Sequence, residues 1–294
     1  MADRGIVLDF DGTITDAEAE GAPFRAAYLD DLAMLAGLGR EEVEAMAVDI
    51  EAAVAANAAD EGWIWDGAIV APATVDPYLR MMPVARRILD HAGAFTEPTE
   101  RARLLEGVLY KHNYRLTRLA FRPGAAEVLP ALAAAGAVVV TNSHTEAVQE
   151  KIRALAAVAA APAPLLALAA GVRGRARKYQ IDPSWDAVPP SLTLPGLARP
   201  VLLRRRAYFE ALDAVRAAAG VPWSEMVVAG DIFELDLCLP LALGARIVLV
   251  TNPHTPPWER AYLAAQPRAA LVDGLPALAA ALGISPSSPP LTPG

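Results

Sequence analysis

Residues Ile6 to Thr13 run Ile-Val-Leu-Asp-Phe-Asp-Gly-Thr, a short apolar stretch that ends in two carboxylates and a glycine. Such a run, closed by a turn signal, predicts a strand buried on both faces, and strands of that kind belong to parallel sheets covered by helices. In open parallel sheets ligands bind just beyond the carboxyl ends of the strands, so Asp9 and Asp11 stand where chemistry is done. They are two apart in the chain. If the strand geometry carries on past Leu8, both side chains lie on one side of it, close enough to share a cation. Without a metal the two would repel, and one would hold a proton.

Two further apolar runs end in polar signatures. Ala137-Val138-Val139-Val140 passes into Thr141-Asn142-Ser143, and Met226-Val227-Val228-Ala229 passes into Gly230-Asp231, with Asp236 beyond. A strand end that feeds a helix presents N–H groups and a hydroxyl to an anion, so Thr141 and the amides after it suit a phosphate grip. Between these runs, helical patterns are predicted over Ala125 to Ala135 (closed by Gly136), Glu146 to Ala157, Arg206 to Ala219 and Leu237 to Leu243 (closed by Gly244). Further strands are predicted at Leu165 to Ala169 and Ala245 to Val250, and Pro183 to Pro200 is a proline-rich connection. The β-α alternation predicts an α/β fold, a doubly wound parallel sheet.

Residues 16–120 break that alternation. Phe24, Tyr28, Leu32 and Leu35 recur at helical spacing, as do Val43, Met46, Ala47 and Ile50, and later Leu104, Leu105, Val108 and Leu109. Helices are expected over Glu41 to Ala59, Pro77 to His91 and Pro98 to Leu119, with no recurring strand pattern strong enough to extend the sheet. The stretch Gly62 to Gly67 and the prolines at 72 and 77 mark an irregular link. Trp63 and Trp65 are expected to pack, and His144 to cap a helix or face solvent.

Taken together and in this order, the motifs resemble those of the haloacid dehalogenase superfamily. These are Asp9-Phe10-Asp11-Gly12-Thr13 after the first strand, Thr141 after the second, a lysine, and Gly230-Asp231 with Asp236 in the spacing of the last motif. The resemblance covers nearly the whole chain. It implies a Rossmann-like catalytic core from residues 1–15 and 121–284 and a helical cap from 16–120. Residues 285–294, rich in Pro and Ser, are expected to be a disordered tail.

In function, the resemblance implies a magnesium-dependent phosphohydrolase acting on a small phosphorylated metabolite. Asp9 would be the nucleophile that forms an aspartyl-phosphate, a known use of carboxylates. Asp11 would protonate the leaving oxygen and then activate water. An acid at this position separates the phosphatase-like members from the dehalogenases of the superfamily. The Asp9 side chain, the Asp11 backbone carbonyl and Asp231 would hold Mg2+, with Asp236 binding through water or orienting the shell. Gly12, Thr141, Asn142 and a lysine would meet the substrate. The alternatives are a phosphotransferase such as a sugar phosphomutase, a phosphonate hydrolase, or a silent phospho-ligand-binding regulator. Lys111, the lysine of the cap, lies too late in the insertion for the phosphonate chemistry, and the presence of Asp9 counts against a silent regulator.

The sequence departs from the superfamily in one place. The cation that holds Asp9 and the phosphoryl group together is usually a lysine shortly before the last strand, and here that place reads Leu203-Arg204-Arg205-Arg206, without a lysine. Lys151 lies on the helix after Thr141, where a solvated face is expected. Lys178 is left as the candidate, with Arg204 to Arg206 as the competing source. An ammonium suits a crowded site between carboxylates better than an arginine fork does.

Composition limits the partners. A hydrophobic fraction of 54% with 20% charged residues is that of a globular chain, and a net charge of −8 offers no overall positive field for nucleic acid or anionic membranes. Cys238 is the single cysteine, which excludes an internal disulfide and points to a reducing, cytoplasmic setting. Met1-Ala2-Asp3-Arg4 leads almost at once into the first strand, so no signal peptide is expected. The most apolar long window, Ala154 to Val172, is broken by Pro162 and Pro164 and makes a poor membrane span. Substrate identity and oligomeric state are not encoded in these patterns.

Overall fold

The computed structural model describes residues 5–285, so the expected tail at 285–294 lies outside the described residues but for Ser285. Two compact units divide the chain, one built from residues up to Thr15 and from Phe121 onward, the other from Asp16–Ala120.

The first unit carries a parallel sheet of five strands: β1 (Gly5–Leu8), β2 (Val138–Val139), β3 (Met226–Gly230), β4 (Arg246–Val250) and β5 (Ala269–Val272), in the order β2-β1-β3-β4-β5. In register, Val7 lies between Val138 on one side and Val228 on the other. The strands are near-continuous apolar runs because helices cover both faces. Period-two alternation sends Ile6, Leu8, Val227, Ala229, Val248 and Val250 to one face, where they pack on Leu129, Leu132, Ile152, Leu165 and Leu278. Each of these valine, leucine and isoleucine side chains, fully buried, contributes roughly 1.5–3 kcal/mol. The helix Arg206–Ala219, which matches the expected bounds, buries Tyr208, Leu212 and Val215 and ends on Gly220 at φ 67.

Three expectations for this unit are corrected. Leu165 to Ala169 is not a strand but part of the helix Pro162–Ala170. Leucine and alanine are helix formers, no β-branched residue is present, and Pro162 at the first turn is preset for a helix. Extended backbone comes later, where Arg173 bridges Val140 in parallel, its N–H donating to Val139 O at 2.8 Å. The helix expected to begin at Leu237 begins earlier, as a π turn over Phe233–Leu237 that runs into Cys238–Ala242. The Pro183 to Pro200 connection includes Ser191–Leu192, which pairs antiparallel with Val201–Leu202.

The second unit is mainly helical: Ala17–Ala36, Arg40–Ala56, Pro77–Ala92 and a run from Pro98 to Tyr114 with a π segment at Arg103–Leu109. Phe24, Tyr28, Leu32, Val43, Met81, Ile88 and Leu105 form its core. Asp16 and Asp76 cap the first and third helices by accepting from backbone N–H groups, which fixes where each begins. The last run stops at Tyr114 and not at Leu119, because the Thr117 hydroxyl takes the Tyr114 carbonyl at 3.0 Å. Among the described residues no strand of this unit extends the five-stranded sheet, as expected, but the irregular link expected at Gly62 to Gly67 is corrected. Gly62–Trp65 and Ala68–Pro72 form an antiparallel hairpin. Asp66 and Gly67 both take positive φ, 48° and 75°, as a two-residue type I′ turn requires, and aromatic and β-branched residues flank it.

Among the described residues no helix is long and apolar enough to cross a membrane.

Candidate active site

At β1 the connections diverge, one way to β2 and the other to β3, which makes its carboxyl end the switch point at which open sheets bind ligands. The strand ends at Leu8, and a tight turn follows in which Ile14 N–H donates to Phe10 O at 2.8 Å. Asp9, Thr141 and Asp231 emerge from three adjacent strand ends. Gly12, at φ 80°, passes so close to Asp231 that a Cβ there would lie 2.1 Å from Asp231 Oδ2. Gly230 similarly gives way to Asp236, whose Cβ would be 2.4 Å from one placed on the glycine.

Lys178 is the centre of the site. Its side chain is 1% exposed, and Nζ donates to Asp9 Oδ1 at 2.6 Å and to Asp236 Oδ1 at 2.7 Å. At these distances each pair is attracted by roughly 6 kcal/mol at an effective dielectric of ~20, against a desolvation cost of several kcal/mol per ion. Burial alone would lower the Lys178 ammonium, but the Asp236 and Asp9 carboxylates overcome it and hold it charged far above its ordinary range. Burial pushes the Asp9 carboxyl up to about 7 despite the lysine, with Asp236 and Asp11 adding to the rise. Asp236 Oδ2 accepts from Ile232 N–H, and the Tyr208 hydroxyl donates to the Asp236 carbonyl at 2.8 Å.

Asp9, Asp231 and Asp236 each bring a carboxylate oxygen within 4.8 Å of the others. Two of these carboxylates, Asp9 and Asp236, share the Lys178 ammonium, so three carboxylates gather around a single buried cation. An all-oxygen donor set with excess negative charge fits a hard divalent cation such as magnesium. The Thr13 hydroxyl, 3.1 Å from Asp9 Oδ2 and 3.3 Å from Asp231 Oδ1, ties the first and last motifs together.

No protein-family model and no curated protein matches this chain. Solved structures do. A predicted phosphoglycolate phosphatase from Haemophilus somnus 129PT is 15% identical over 96% of this chain and 99% of its own, with a TM-score of 0.51. YfnB from Bacillus subtilis, described as a HAD-hydrolase bound to magnesium, is 14% identical over 97% of this chain and 100% of its own, also at 0.51. The chain has the haloacid dehalogenase-like fold. A 2-haloacid dehalogenase from Pseudomonas syringae pv. Tomato DC3000 is similar at 18% identity and a TM-score of 0.41, over 95% of this chain and 97% of its own.

Within this haloacid dehalogenase-like core, the Asp11 carboxylate is not one of the three that gather, because the strand stops before Asp9 and the turn carries its side chain elsewhere; the metal contact expected of Asp11 is through its backbone carbonyl, which that clustering leaves untouched. Its Oδ2 accepts from the Ser143 hydroxyl at 2.7 Å and lies 3.4 Å from Thr141 Oγ1. Lys151 reaches Asp11 Oδ1 at 3.5 Å, so it faces the site and not simply solvent as expected. The Asn142 side chain accepts from Lys178 N–H at 2.8 Å, which makes it a brace for the lysine loop. Of the two expected sources of the cation, Lys178 is the one that meets Asp9. Arg205 is fully buried and donates to the Lys178 carbonyl, Arg204 holds the Pro183 and Val188 carbonyls, and Arg206 pairs with Glu210.

Sequence reasoning missed several supports. Arg205 and Tyr208 hold the lysine and Asp236 from behind, and Arg122 donates to the Gly12 carbonyl at 2.7 Å and to Thr251 O at 3.3 Å. Arg122 stands in Phe121-Arg122-Pro123-Gly124, where the chain re-enters the core, and that position was its one signal. Nothing in the local pattern marks Arg205 as buried.

Proposed function

We propose that the protein is a magnesium-dependent phosphohydrolase of small phosphorylated metabolites that works through an aspartyl-phosphate on Asp9. The observation that carries this reading is the separation of two acidic functions. Asp9 is buried against Lys178, whereas Asp11 is held apart by Ser143 and Thr141. A nucleophile and a proton carrier in distinct environments are what phosphoryl transfer with a poor leaving group requires.

Asp9 Oδ2, the oxygen not taken by Lys178, attacks phosphorus. Lys178 neutralises Asp9 and the transferring oxygens, with the Thr141 hydroxyl and nearby amides as further donors. Asp11 gives its proton to the departing oxygen. It then takes one from the water that attacks the phosphorus of the aspartyl-phosphate, which releases phosphate and restores the Asp9 carboxylate and the Asp11 acid. The Asp9 side chain, the Asp11 backbone carbonyl, Asp231 and, through water or by orientation, Asp236 would hold magnesium, which when bound supplies charge neutralisation at the phosphoryl oxygens. The Bacillus subtilis neighbour, which binds magnesium, supports this donor set.

The test is turnover of para-nitrophenyl phosphate with and without magnesium, beside a short chloro-carboxylic acid. Phosphate release that requires the metal, with no chloride release, is the expected result. Chloride release without phosphatase activity would replace this reading with a dehalogenase, and ligand binding without turnover of either would make the chain a binder.

A further inference from the structure

The loop that delivers Lys178 carries an oddity of its own. Arg175 and Arg177 both take left-handed backbone, at φ 55° and 49°, a conformation that glycine adopts without strain and arginine does not. The loop is pressed onto the segment after Thr141. A Cβ on Gly174 would lie 2.4 Å from Thr145 N, and Arg175 N–H donates to the Ser143 carbonyl at 2.8 Å. Backbone geometry alone would favour a glycine at 175, so the strain of an arginine there points to its side chain. That side chain is exposed, and its Nη2 meets His144 Nδ1 at 3.0 Å. Arginine can only donate, so Nδ1 accepts and the ring proton sits on Nε2. Among the described residues, no carboxylate pairs with Arg175 or His144. The pair is rooted one hydrogen bond from the site: Ser143, which accepts from Arg175 through its carbonyl, donates its hydroxyl to Asp11.

We propose that Arg175 and His144 form a subsite for a second anionic group, a carboxylate or phosphate, on the phosphorylated substrate, an inference that rests on the phosphohydrolase reading. A guanidinium fork with an imidazole N–H beside it matches the planar oxygens of a carboxylate or two oxygens of a phosphate. Although the chain is acidic overall, this edge of the site offers an unpaired cation to a substrate that is itself an anion.

The experiment is calorimetric binding with magnesium present, in the Asp9→Asn background so that nothing is consumed. Two matched pairs serve as probes: phosphoglycerate against glycerol phosphate, and fructose bisphosphate against fructose monophosphate. At least one doubly anionic member should bind about tenfold tighter than its partner. Added to that background, Arg175→Gly should abolish the preference without lowering the melting temperature, since glycine suits φ 55°. His144→Ala should reduce it several-fold. Preference in the first pair alone identifies a carboxylate site, and in the second alone a distal phosphate site. The absence of any preference, or an equal loss for both members of a pair in Arg175→Gly, overturns the subsite. Turnover of para-nitrophenyl phosphate by the unmutated protein separates the two claims. Turnover without preference removes the subsite alone, and preference without turnover removes the phosphohydrolase reading.

Discussion

Replacing Lys178 with methionine keeps most of the volume and removes the one charge that Asp9 and Asp236 share at 2.6 and 2.7 Å. Breaking a buried ion pair from one side costs roughly 3–5 kcal/mol, because the partner is left uncompensated. Two partners are left here. The cost depends on pH, with a sign fixed by Asp9. Its carboxyl is raised in the folded protein from 3.8 to about 7, so the folded state holds the proton more tightly than the unfolded chain. The stability this contributes is complete below pH 4 and is lost as pH rises through 7, by about 4 kcal/mol over that span. Without the lysine the carboxyl rises further, so Lys178→Met loses more at pH 8 than at pH 5, where protonation substitutes for the ammonium. Urea denaturation at both pH values in excess chelator measures this directly. A variant as stable as the parent at pH 8, or one destabilised equally at both, would refute the account of how the site holds its charges.

Asp11→Asn should lower phosphatase turnover by ~10² to 10⁴, the usual worth of positioned proton transfer, with partial rescue of phosphoryl transfer by a very good leaving group. Equal loss with good and poor leaving groups in single turnovers would remove Asp11 as the acid. Chelation should abolish turnover, magnesium should restore it, and calcium should serve poorly because its looser coordination misplaces oxygens; full activity in excess chelator contradicts the donor set drawn from Asp9 and Asp231. Glu259 is fully buried, and burial, with Glu234 and Asp236 nearby, raises its carboxyl well above 4.5. Its stabilising protonation is present below pH 4.5 and lost above it, so Glu259→Gln should gain stability at pH 8 relative to pH 4 by up to ~1.4 kcal/mol per pH unit crossed. Parallel stability curves for the two proteins would disprove that.

What the sequence disclosed, and what it concealed, follows from the range of the interactions. The helix Arg206–Ala219 could be bounded from its own residues, since an apolar stripe ends on a left-handed glycine. Asp9 and Asp231 could be placed because each directly follows an apolar strand, whereas Lys178 was singled out by elimination among three lysines and sits on a loop with left-handed residues at 175 and 177. The hairpin at Gly62–Pro72 was legible too, in Asp66-Gly67, but two tryptophans and prolines suggested a break instead. Pro162–Ala170 misled because a short apolar run has no period of its own, and only the absence of β-branched residues tells helix from strand there. Arg205, Lys151 and Ser143 act through partners far away in the chain, and periodicity says nothing about which side chains meet across such distances. Asp11 went astray for a different reason: its predicted position assumed a strand that the Phe10 to Ile14 turn ends.

The central claim is that Asp9 carries the phosphoryl group, and borohydride trapping during turnover tests it most directly. Hydride reduces an aspartyl-phosphate to the alcohol, so peptide mass spectrometry of protein quenched during turnover of para-nitrophenyl phosphate with magnesium should find homoserine at position 9, and Asp9→Asn should show neither the product nor turnover. Sustained turnover with position 9 unmodified, or reduction at another carboxylate, would contradict the account.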